Sequence, residues 1–377
     1  MTRDSWFYPS VMQADMTECG LQPGRRAETL THTWEYNRCV VPEFRNWERY
    51  VALARLGAVA IVAEVFGDLV DVLSDRPILG YDIDGLLDEL FGDGQVREAM
   101  GREYRASLLI MTEKSTGRRG SELMRRYTEA LAHSPSDWFR LRDCDGMFRF
   151  YVAAAIACND DDAWLSETDN RIITEIGEVL YDAVAFHKHQ AEGEIHNTFA
   201  YAGADQREDA YRSYRQALWD LDVRWSRTTA GRCAVNFARF VGGPIHLMMR
   251  RYRFVEDGLC LGAPRDVHIV EEARRNAKLW YRIDADTSTP EEQARYQAVL
   301  AQADRVLFPG MAEMLERPEG EKCPDCLRRR SYGAERAGGF GGVDLCPGCR
   351  TNWQDHLHTF PSRTGLDQRD HDRSLEC

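Results

Sequence analysis

Residues 181–197 read YDAVAFHKHQAEGEIHN, and this stretch is the most informative part of the sequence. It continues a helical pattern that begins near residue 168. Tyr181, Ala185 and His189 are spaced four residues apart, so they lie on one face of a helix. The stretch therefore predicts a helix rich in histidine, lysine and carboxylate groups, either as a solvated amphipathic face or as one wall of a functional site.

Helical periodicity dominates from about residue 45 to residue 315, and strand-like alternation is scarce. Two helix starts are marked by a capping residue before proline, Ser134-Pro135 and Thr289-Pro290. The fold class predicted is all-α, a helical bundle. The predicted helices cover residues 47–73, 85–110, 120–133, 147–158, 168–197, 206–228, 231–252, 267–282 and 290–315.

The chain is acidic, with 48 Lys and Arg against 61 Asp and Glu and a net charge of −13. A net negative charge argues against nucleic acid as a partner. The first residues lack the apolar core of a secretory signal, which predicts a cytoplasmic protein. The most apolar stretch, residues 51–73, contains Arg55, Glu64, Asp68 and Asp71, so we expect no membrane span.

Two Cys-x-x-Cys pairs lie near the C-terminus, Cys323 with Cys326 and Cys346 with Cys349. Each pair presents two thiolates from one tight turn, and two such pairs complete the tetrahedral site that structural zinc requires. We therefore predict a closed Zn²⁺ site. The alternative, a pair of redox dithiols, lacks the surrounding βαβ pattern.

The composition predicts four regions along the chain. Residues 1–315 form the helical domain, and the charged stretch 316–322 is read as a linker. Residues 323–352 form a zinc-ribbon-like module with four cysteines. Residues 353–377 are polar and are expected to be a loosely ordered tail.

The stretch at 181–197 resembles the second metal-binding motif of class I terpene synthases, especially the bacterial type. That motif reads N-D-x-x-S-x-x-K-E and is followed after three residues by G-E-x-x-N. Asp182, Lys188, Gly193, Glu194 and Asn197 occupy matching offsets. In the family this helix holds Mg²⁺ against the substrate diphosphate, so the resemblance implies the same place for Asp182 and Lys188.

The three metal-ligand positions of that motif depart from the family pattern. Asn, Ser and Glu are replaced by Tyr181, Ala185 and His189. Alanine cannot bind a metal, tyrosine is a poor Mg²⁺ ligand, and histidine prefers softer metals. His189 is kept as a candidate ligand, and nearby carboxylates are candidates for substitute oxygens: Glu178, Asp182 and Glu192.

Two further elements occur in the family's order along the chain. Arg142, Asp145 and Gly146 resemble an Arg-x-x-(Asp/Thr/Ser)-Gly element before a helix break, where the family's arginine senses diphosphate and the glycine carbonyl faces the substrate. Arg251 and Tyr252 resemble a late Arg-Tyr pair that binds diphosphate. Arginine and phenol donors both suit phosphate oxygens.

An acidic first metal motif should precede these elements. Glu64, Asp68 and Asp71 are the leading candidate for Mg²⁺ ligands, because their i, i+4 and i+7 spacing would put them on one helix face. A solvated stripe on an amphipathic helix explains them equally well. Two alternatives are an acidic group at Asp82, Asp84 and Asp88, and residues 159–162, which are better suited to capping a helix.

The resemblance covers roughly residues 45–255 and implies a helical bundle around a deep apolar cavity. It implies ionisation of an isoprenoid diphosphate, such as farnesyl or geranylgeranyl diphosphate, with Mg²⁺ as cofactor. Arg142, Lys188 and Arg251 would then stabilise the departing diphosphate, and the cavity would fold and quench the carbocation. A homodimer is left open.

Two other functions remain open from the sequence. The loss of the three metal-ligand residues is compatible with a terpene-synthase-like scaffold that binds a ligand or another protein without catalysis. The histidine-rich helix also suits an unrelated helical metalloprotein that binds iron or zinc, with ligands drawn from His187, His189, Glu194 and His196.

Overall fold

The computed structural model describes residues 7–116, 121–248, 288–328 and 340–365. Their architecture is all-α, which confirms the predicted fold class. The one sheet among these residues pairs two antiparallel two-residue strands near the cysteines. No helix in the described ranges combines the length and apolar character needed to cross a bilayer.

The helices are numbered here in chain order. They are α1 Pro23–Val40, α2 Trp47–Val65, α3 Ile83–Phe91, α4 Gln95–Ser115, α5 Glu122–Leu131, α6 Pro135–Asp145, α7 Phe148–Cys158, α8 Glu167–Glu192, α9 Thr198–Ala202, α10 Arg207–Trp225, α11 Thr229–Val241, α12 Ile245–Met248, α13 Pro290–Leu300, α14 Ala303–Val306, α15 Met311–Leu315, α16 Pro347–His358 and α17 Phe360–Thr364. The strands are β1 Leu327–Arg328 and β2 Val343–Asp344. Short 3₁₀ turns occur at Ser10–Met12, Gly67–Leu69, Ala204–Gln206 and Glu319–Glu321.

Helix α8 is the element on which the candidate site is built. The Ser166 hydroxyl accepts a hydrogen bond from the Asp169 amide at its first turn, and Glu167 and Asp169 complement the helix dipole there. The helix ends at Gly193, whose φ of +66° is the left-handed conformation common at helix C-termini. It packs against α6, α10 and α11, so most of its surface is inside the protein.

Both N-caps read from the sequence are confirmed. The Ser134 hydroxyl accepts from the Asp137 amide at the start of α6, and the Thr289 hydroxyl accepts from the Glu292 amide at the start of α13. In each helix a proline occupies the first helical position, where its missing amide hydrogen costs nothing.

The expected helical face at Glu64, Asp68 and Asp71 is wrong. Helix α2 ends at Val65, and residues 67–69 form a separate 3₁₀ turn. Gly67 causes the change of direction: its amide donates to the Ser115 hydroxyl at 2.9 Å, and an added Cβ would lie 2.3 Å from the same oxygen. Asp68 and Asp71 are exposed, so they do not face the interior with Glu64.

The C-terminal part of the chain is more ordered than its composition suggests. Residues 353–365, which were expected to belong to a loosely ordered tail, belong to α16 and α17 and bury Trp353, Leu357 and Phe360 in the main core. The predicted linker is fastened to the bundle, because Arg317 pairs with Asp137 at 2.7 Å. The polar composition of this stretch suggested disorder, but three buried apolar side chains on one face are enough to pack a polar helix against the core.

Candidate active site

Helices α4, α6 and α8 and the segment 193–198 bring a group of charged and polar side chains together inside the bundle. Nearly all of them are buried. We call this group the buried polar cluster. Its members are Lys114, Arg142, Asp145, Glu178, Asp182, Lys188, His189, Glu194, His196 and Asn197.

Arg142 is the centre of one half of the cluster. Its guanidinium donates to the Asp145 carboxylate one turn further along α6 and, at 2.8 Å, to Glu178 Oε2 on α8. Asp145 also pairs with Lys114 at the end of α4. Arg142 therefore links two helices through charge-assisted hydrogen bonds, which are about twice as strong as neutral ones.

The charges around Asp145 fix their own ionisation states. Burial alone would raise the pKa of Asp145, but Lys114, His196 and Arg142 hold it well below its ordinary value. Burial and Lys114 lower the pKa of His196, so this imidazole is neutral at pH 7. Its Nδ1 lies 3.7 Å from Asp145 Oδ2.

The predicted helix break is present between α6 and α7. Gly146 ends α6, while the left-handed residue is its neighbour Met147, with a φ of +56°. Gly146 is needed for space: a Cβ there would lie 2.7 Å from Glu178 Oε1. The structure places Arg142, Asp145 and Gly146 beside Glu178. Their predicted roles toward a diphosphate stay a prediction.

Asp182 is the second buried carboxylate on α8, one turn after Glu178. Its Oδ2 accepts from the amide of Thr198 at 2.6 Å and from its hydroxyl at 2.7 Å. Its Oδ1 accepts no hydrogen bond from the described residues, although it is fully buried. His189 Nδ1 lies 3.9 Å from this oxygen, beyond hydrogen-bond distance, and an unsatisfied buried acceptor is costly.

Burial raises the pKa of both α8 carboxyls. The pKa of Glu178 is raised to about 8, mainly by burial. The negative charges of Asp182 and Asp145 raise it further, and Arg142 offsets only part of the rise. The pKa of Asp182 is raised to about 6, again mainly by burial and further by the charge of Glu194. Two acidic groups that resist full ionisation are a common feature of functional sites and of cation-binding sites.

Glu194 and Asn197, which follow α8, contact side chains and backbone in its last turns. Glu194 Oε1 accepts from Lys188 Nζ at 3.3 Å, and its other oxygen lies 3.5 Å from His189 Nε2. The Asn197 amide donates to the Asp182 carbonyl at 2.9 Å and lies 3.1 Å from His189 Nδ1. Because these groups are buried, a solvated amphipathic face is not the explanation of residues 181–197.

The metalloprotein hypothesis finds no support in the described residues. Within them, the one group of three or more His, Cys, Asp or Glu ligand atoms mutually within 4.8 Å consists of the four C-terminal cysteines. The pKa of His187 is lowered by burial and by the positive charge of Arg207.

The other acidic candidates have structural partners. Asp84 pairs with Arg97 and Arg105, each at 2.8 Å, and Asp88 also pairs with Arg97. Asp160 lies 3.3 Å from Arg49 beyond the end of α7. Both groups therefore fasten neighbouring elements. Arg251 and Tyr252 lie outside the described residues.

Lys114 is a cluster residue that the sequence reasoning missed. It lies three residues after the mostly apolar run 106–111 on α4, and it is 5% exposed. A lysine beside a glutamate directly after such a run was the available signal, because lysine is almost never fully buried without a partner. Its pKa is lowered by burial, which Asp145 partly offsets.

The four cysteines form the second candidate site. Their sulfur atoms all lie within 4.8 Å of one another, and Cys323 Sγ is 3.8 Å from Cys346 Sγ. Tetrahedral zinc with thiolates at about 2.3 Å places its sulfur atoms about 3.8 Å apart. The Cys346 amide donates to Cys326 Sγ, and the Cys349 amide donates to Cys346 Sγ, both at 3.4 Å. The donor set therefore fits zinc.

An all-α bundle in which an Arg-x-x-Asp-Gly helix break faces polar groups of a long helix is the arrangement expected of a terpene-synthase-type protein. Comparison with known proteins agrees. The family model described as alpha-ionylideneethane synthase aba3 matches residues 4–366. The chain therefore belongs to the alpha-ionylideneethane synthase aba3 family.

Three fungal relatives illustrate the similarity. Alpha-ionylideneethane synthase aba3 of Botryotinia fuckeliana strain B05.10 is 46% identical over 96% of this chain and 82% of its own length. Alpha-ionylideneethane synthase abl3 of Leptosphaeria maculans is 46% identical over 96% of this chain and 85% of its own length. The abl3 protein of Pyricularia oryzae is 41% identical over 96% of this chain and 82% of its own length.

Proposed function

We propose that this protein is a Mg²⁺-dependent terpene cyclase that acts on an isoprenoid diphosphate. Farnesyl diphosphate would give alpha-ionylideneethane or another fifteen-carbon hydrocarbon, and geranylgeranyl diphosphate would give a twenty-carbon one. The reaction class is that of a carbon–oxygen lyase, because the C–O bond to diphosphate breaks and the resulting carbocation loses a proton instead of gaining water. The observation that carries the proposal is the buried contact of Arg142 with Glu178 on the face of α8 that also bears Asp182.

Cationic side chains of the cluster serve as the diphosphate clamp in this proposal. Arg142 offers a planar fork that suits phosphate oxygens, and Lys188 offers a compact charge at the end of α8. Arg251 and Tyr252 are proposed to join them from the later part of the chain. In the free protein, Arg142 and Lys188 are held by Glu178 and Glu194, so substrate binding exchanges carboxylate partners for phosphate.

Glu178 and Asp182 are the residues that we propose to hold Mg²⁺ in place of the eroded ligand positions. They lie on successive turns of α8, and Asp182 Oδ1 accepts no hydrogen bond from the described residues. Mg²⁺ typically uses one or two carboxylates together with substrate phosphates, so two oxygen donors suffice. When bound, the ion neutralises charge on the leaving diphosphate. His189 stays a weaker candidate, because Glu194 and Asn197 already contact its two nitrogens.

The protein's own contribution is a dry, preorganised environment. Arg142, Asp145 and Glu178 are each less than 9% exposed, so their electrostatic interactions are strong. The helix break at Gly146 presents the end of α6 to the same space, and the negative ends of its carbonyls suit a carbocation. Exclusion of water also protects the carbocation from quenching before it cyclises.

The clamp predicts that alanine at Arg142, Lys188 or Arg251 lowers turnover at least about tenfold. Each loses a charge-assisted bond to phosphate, typically about 1.5–3 kcal/mol. Binding of inorganic diphosphate in the presence of Mg²⁺, measured by calorimetry, should weaken in parallel. Arg171→Ala is the matched control, because this arginine lies on α8 with a side chain that is 72% exposed.

Full activity and normal diphosphate binding in all three clamp variants would contradict the proposal. A loss of turnover in Arg171→Ala as large as that in Lys188→Ala would also contradict it. Removing any positive charge from α8 would then lower turnover, whatever its position.

A further inference from the structure

The cysteine module, taken here as the four cysteines with β1, β2 and α16, packs against one side of residues 193–202. The opposite side of the same segment completes the buried polar cluster. We propose that the four-cysteine site is a metal-dependent clamp that holds this segment in place, with zinc as the bound ion. The predicted effect on turnover rests on the proposed function, but the clamp itself rests on contacts within the chain.

The approach to β2 makes the first contact. The Gly341 amide donates to the Gly193 carbonyl at 3.2 Å, at the point where α8 ends. Gly342 has a φ of +90°, and a Cβ there would lie 3.2 Å from Ile195 Cγ2 and from the Tyr201 hydroxyl. The backbone of the module therefore lies directly against the segment, in a conformation and a space that favour glycine.

Helix α16 makes the second contact. Arg350 Nη1 donates to the Tyr201 carbonyl at 3.2 Å, and Gln354 Nε2 donates to the Ala202 carbonyl at 3.0 Å. These carbonyls belong to the last turn of α9, where intrahelical donors run out. The Trp353 ring stacks on Tyr201, with ring centroids 5.1 Å apart. Module side chains thus cap and cover the end of α9.

The inner side of the segment faces the cluster. Thr198 donates twice to Asp182, Asn197 donates to the Asp182 carbonyl, and His196 lies beside Asp145. A shift of the segment would remove both hydrogen bonds to Asp182 Oδ2. The position of this carboxylate therefore depends on a segment that the module supports from outside.

The metal would add to the apolar docking of α16 by fixing its first turn and the strands that precede it. The two cysteine pairs come from separate segments, and β1 and β2 connect them through strands of only two residues each. A pairing of that length is not stable alone. Cys346 is also the N-cap of α16, so the ion would fix the start of the helix that carries Arg350 and Gln354. Zinc-binding free energy becomes folding free energy in such modules.

The test uses full-length protein with its zinc, after removal of zinc by a chelator, and after zinc is restored. Hydrogen exchange read by peptide mass spectrometry should become at least tenfold faster in residues 193–202 when zinc is removed, with recovery on restoration. Exchange in α2 should stay unchanged, and kcat should fall at least tenfold with a smaller change in KM. Cys39→Ser, an exposed thiol outside the group, should behave as wild type.

A double variant, Arg350→Ala with Gln354→Ala, keeps all four thiols and removes the two bonds to α9. It should retain one zinc per chain and still show faster exchange in residues 193–202. Unchanged exchange there, in this variant or in zinc-free protein, would overturn the clamp. Faster exchange throughout the zinc-free chain, with none specific to the segment in the double variant, would overturn it too. If exchange changes as expected but wild-type protein turns over no prenyl diphosphate, the clamp stands and the proposed function fails.

Discussion

Asp145 lies between two buried cations, Lys114 and Arg142, and this arrangement shapes the whole site. Burying three charges costs solvation that their attraction offsets only when geometry is good. The network is therefore weak support for stability. In the proposed function, its value is that the charges are already oriented before substrate binds, which reduces reorganisation during the reaction.

Asp145→Asn should destabilise the protein by about 3–5 kcal/mol at pH 7, because it leaves buried cations without their partner. The folded pKa of Asp145 is depressed, so the stability that it contributes is present above the ordinary aspartate pKa. That contribution is lost as pH falls below about 4, where the unfolded chain takes up the proton first. Urea unfolding of both proteins at pH 7, 4 and 2.5 should show the difference shrinking at the lowest pH, well below the ordinary aspartate pKa.

Asp209→Asn is the matched control, because the Asp209 side chain is 83% exposed in its pair with Arg212. Exposed pairs contribute about 0–1 kcal/mol, so its effect should be small at every pH. A destabilisation by Asp145→Asn that stays constant from pH 7 to pH 2.5 would show that steric fit, not charge, is responsible.

Among the secondary-structure elements, the junction between α6 and α7 determines how closely α6 approaches α8. Gly146 has a φ of −81°, which alanine adopts easily, so a substitution there tests space and not backbone strain. The space is filled by the Glu178 carboxylate on α8.

Gly146→Ala should lower turnover at least about tenfold, because the new methyl group would push Glu178 away from Arg142. Overpacking of this kind typically costs about 1–3 kcal/mol of stability. Thermal unfolding and diphosphate release measure the two effects. Gly24→Ala on α1, where an added Cβ meets nothing within 4 Å, is the control and should be neutral. Normal turnover in Gly146→Ala would contradict the proposed contact.

The sequence predicted the elements better than their ends. Helical periodicity and the caps at Ser134 and Thr289 are local signals, and they gave the fold class and two correct helix starts. The end of α2 was misread, because a close approach of Gly67 to Ser115 stops it and no local residue marks that contact. Helix α1, Pro23–Val40, was also missed, because polar and charged residues break its apolar pattern.

The site was predictable where the motif is local and hidden where it is not. The spacing of Arg142, Asp145 and Gly146 is short, and the helix break follows from it. The partnership of Arg142 with Glu178 joins residues from two helices that pack together only in the folded chain. Lys114 comes from a third helix, which no pattern within 181–197 could indicate.

In the whole molecule, one shared hydrophobic core joins the helical bundle to the C-terminal cysteine module. Trp353 on α16 packs against Tyr201 and Trp138, whose own helices lead into the buried polar cluster. The module is therefore placed to support the site and not only to extend the chain.

The most direct test of the central claim is product and diphosphate analysis of purified protein given farnesyl or geranylgeranyl diphosphate, with Mg²⁺ and with excess chelator. We expect a cyclised hydrocarbon and stoichiometric diphosphate only when Mg²⁺ is present. We also expect at least a hundredfold loss of turnover in folded Glu178→Gln and Asp182→Asn proteins. Equal diphosphate release without any divalent ion, or full turnover in both carboxyl variants, would contradict it.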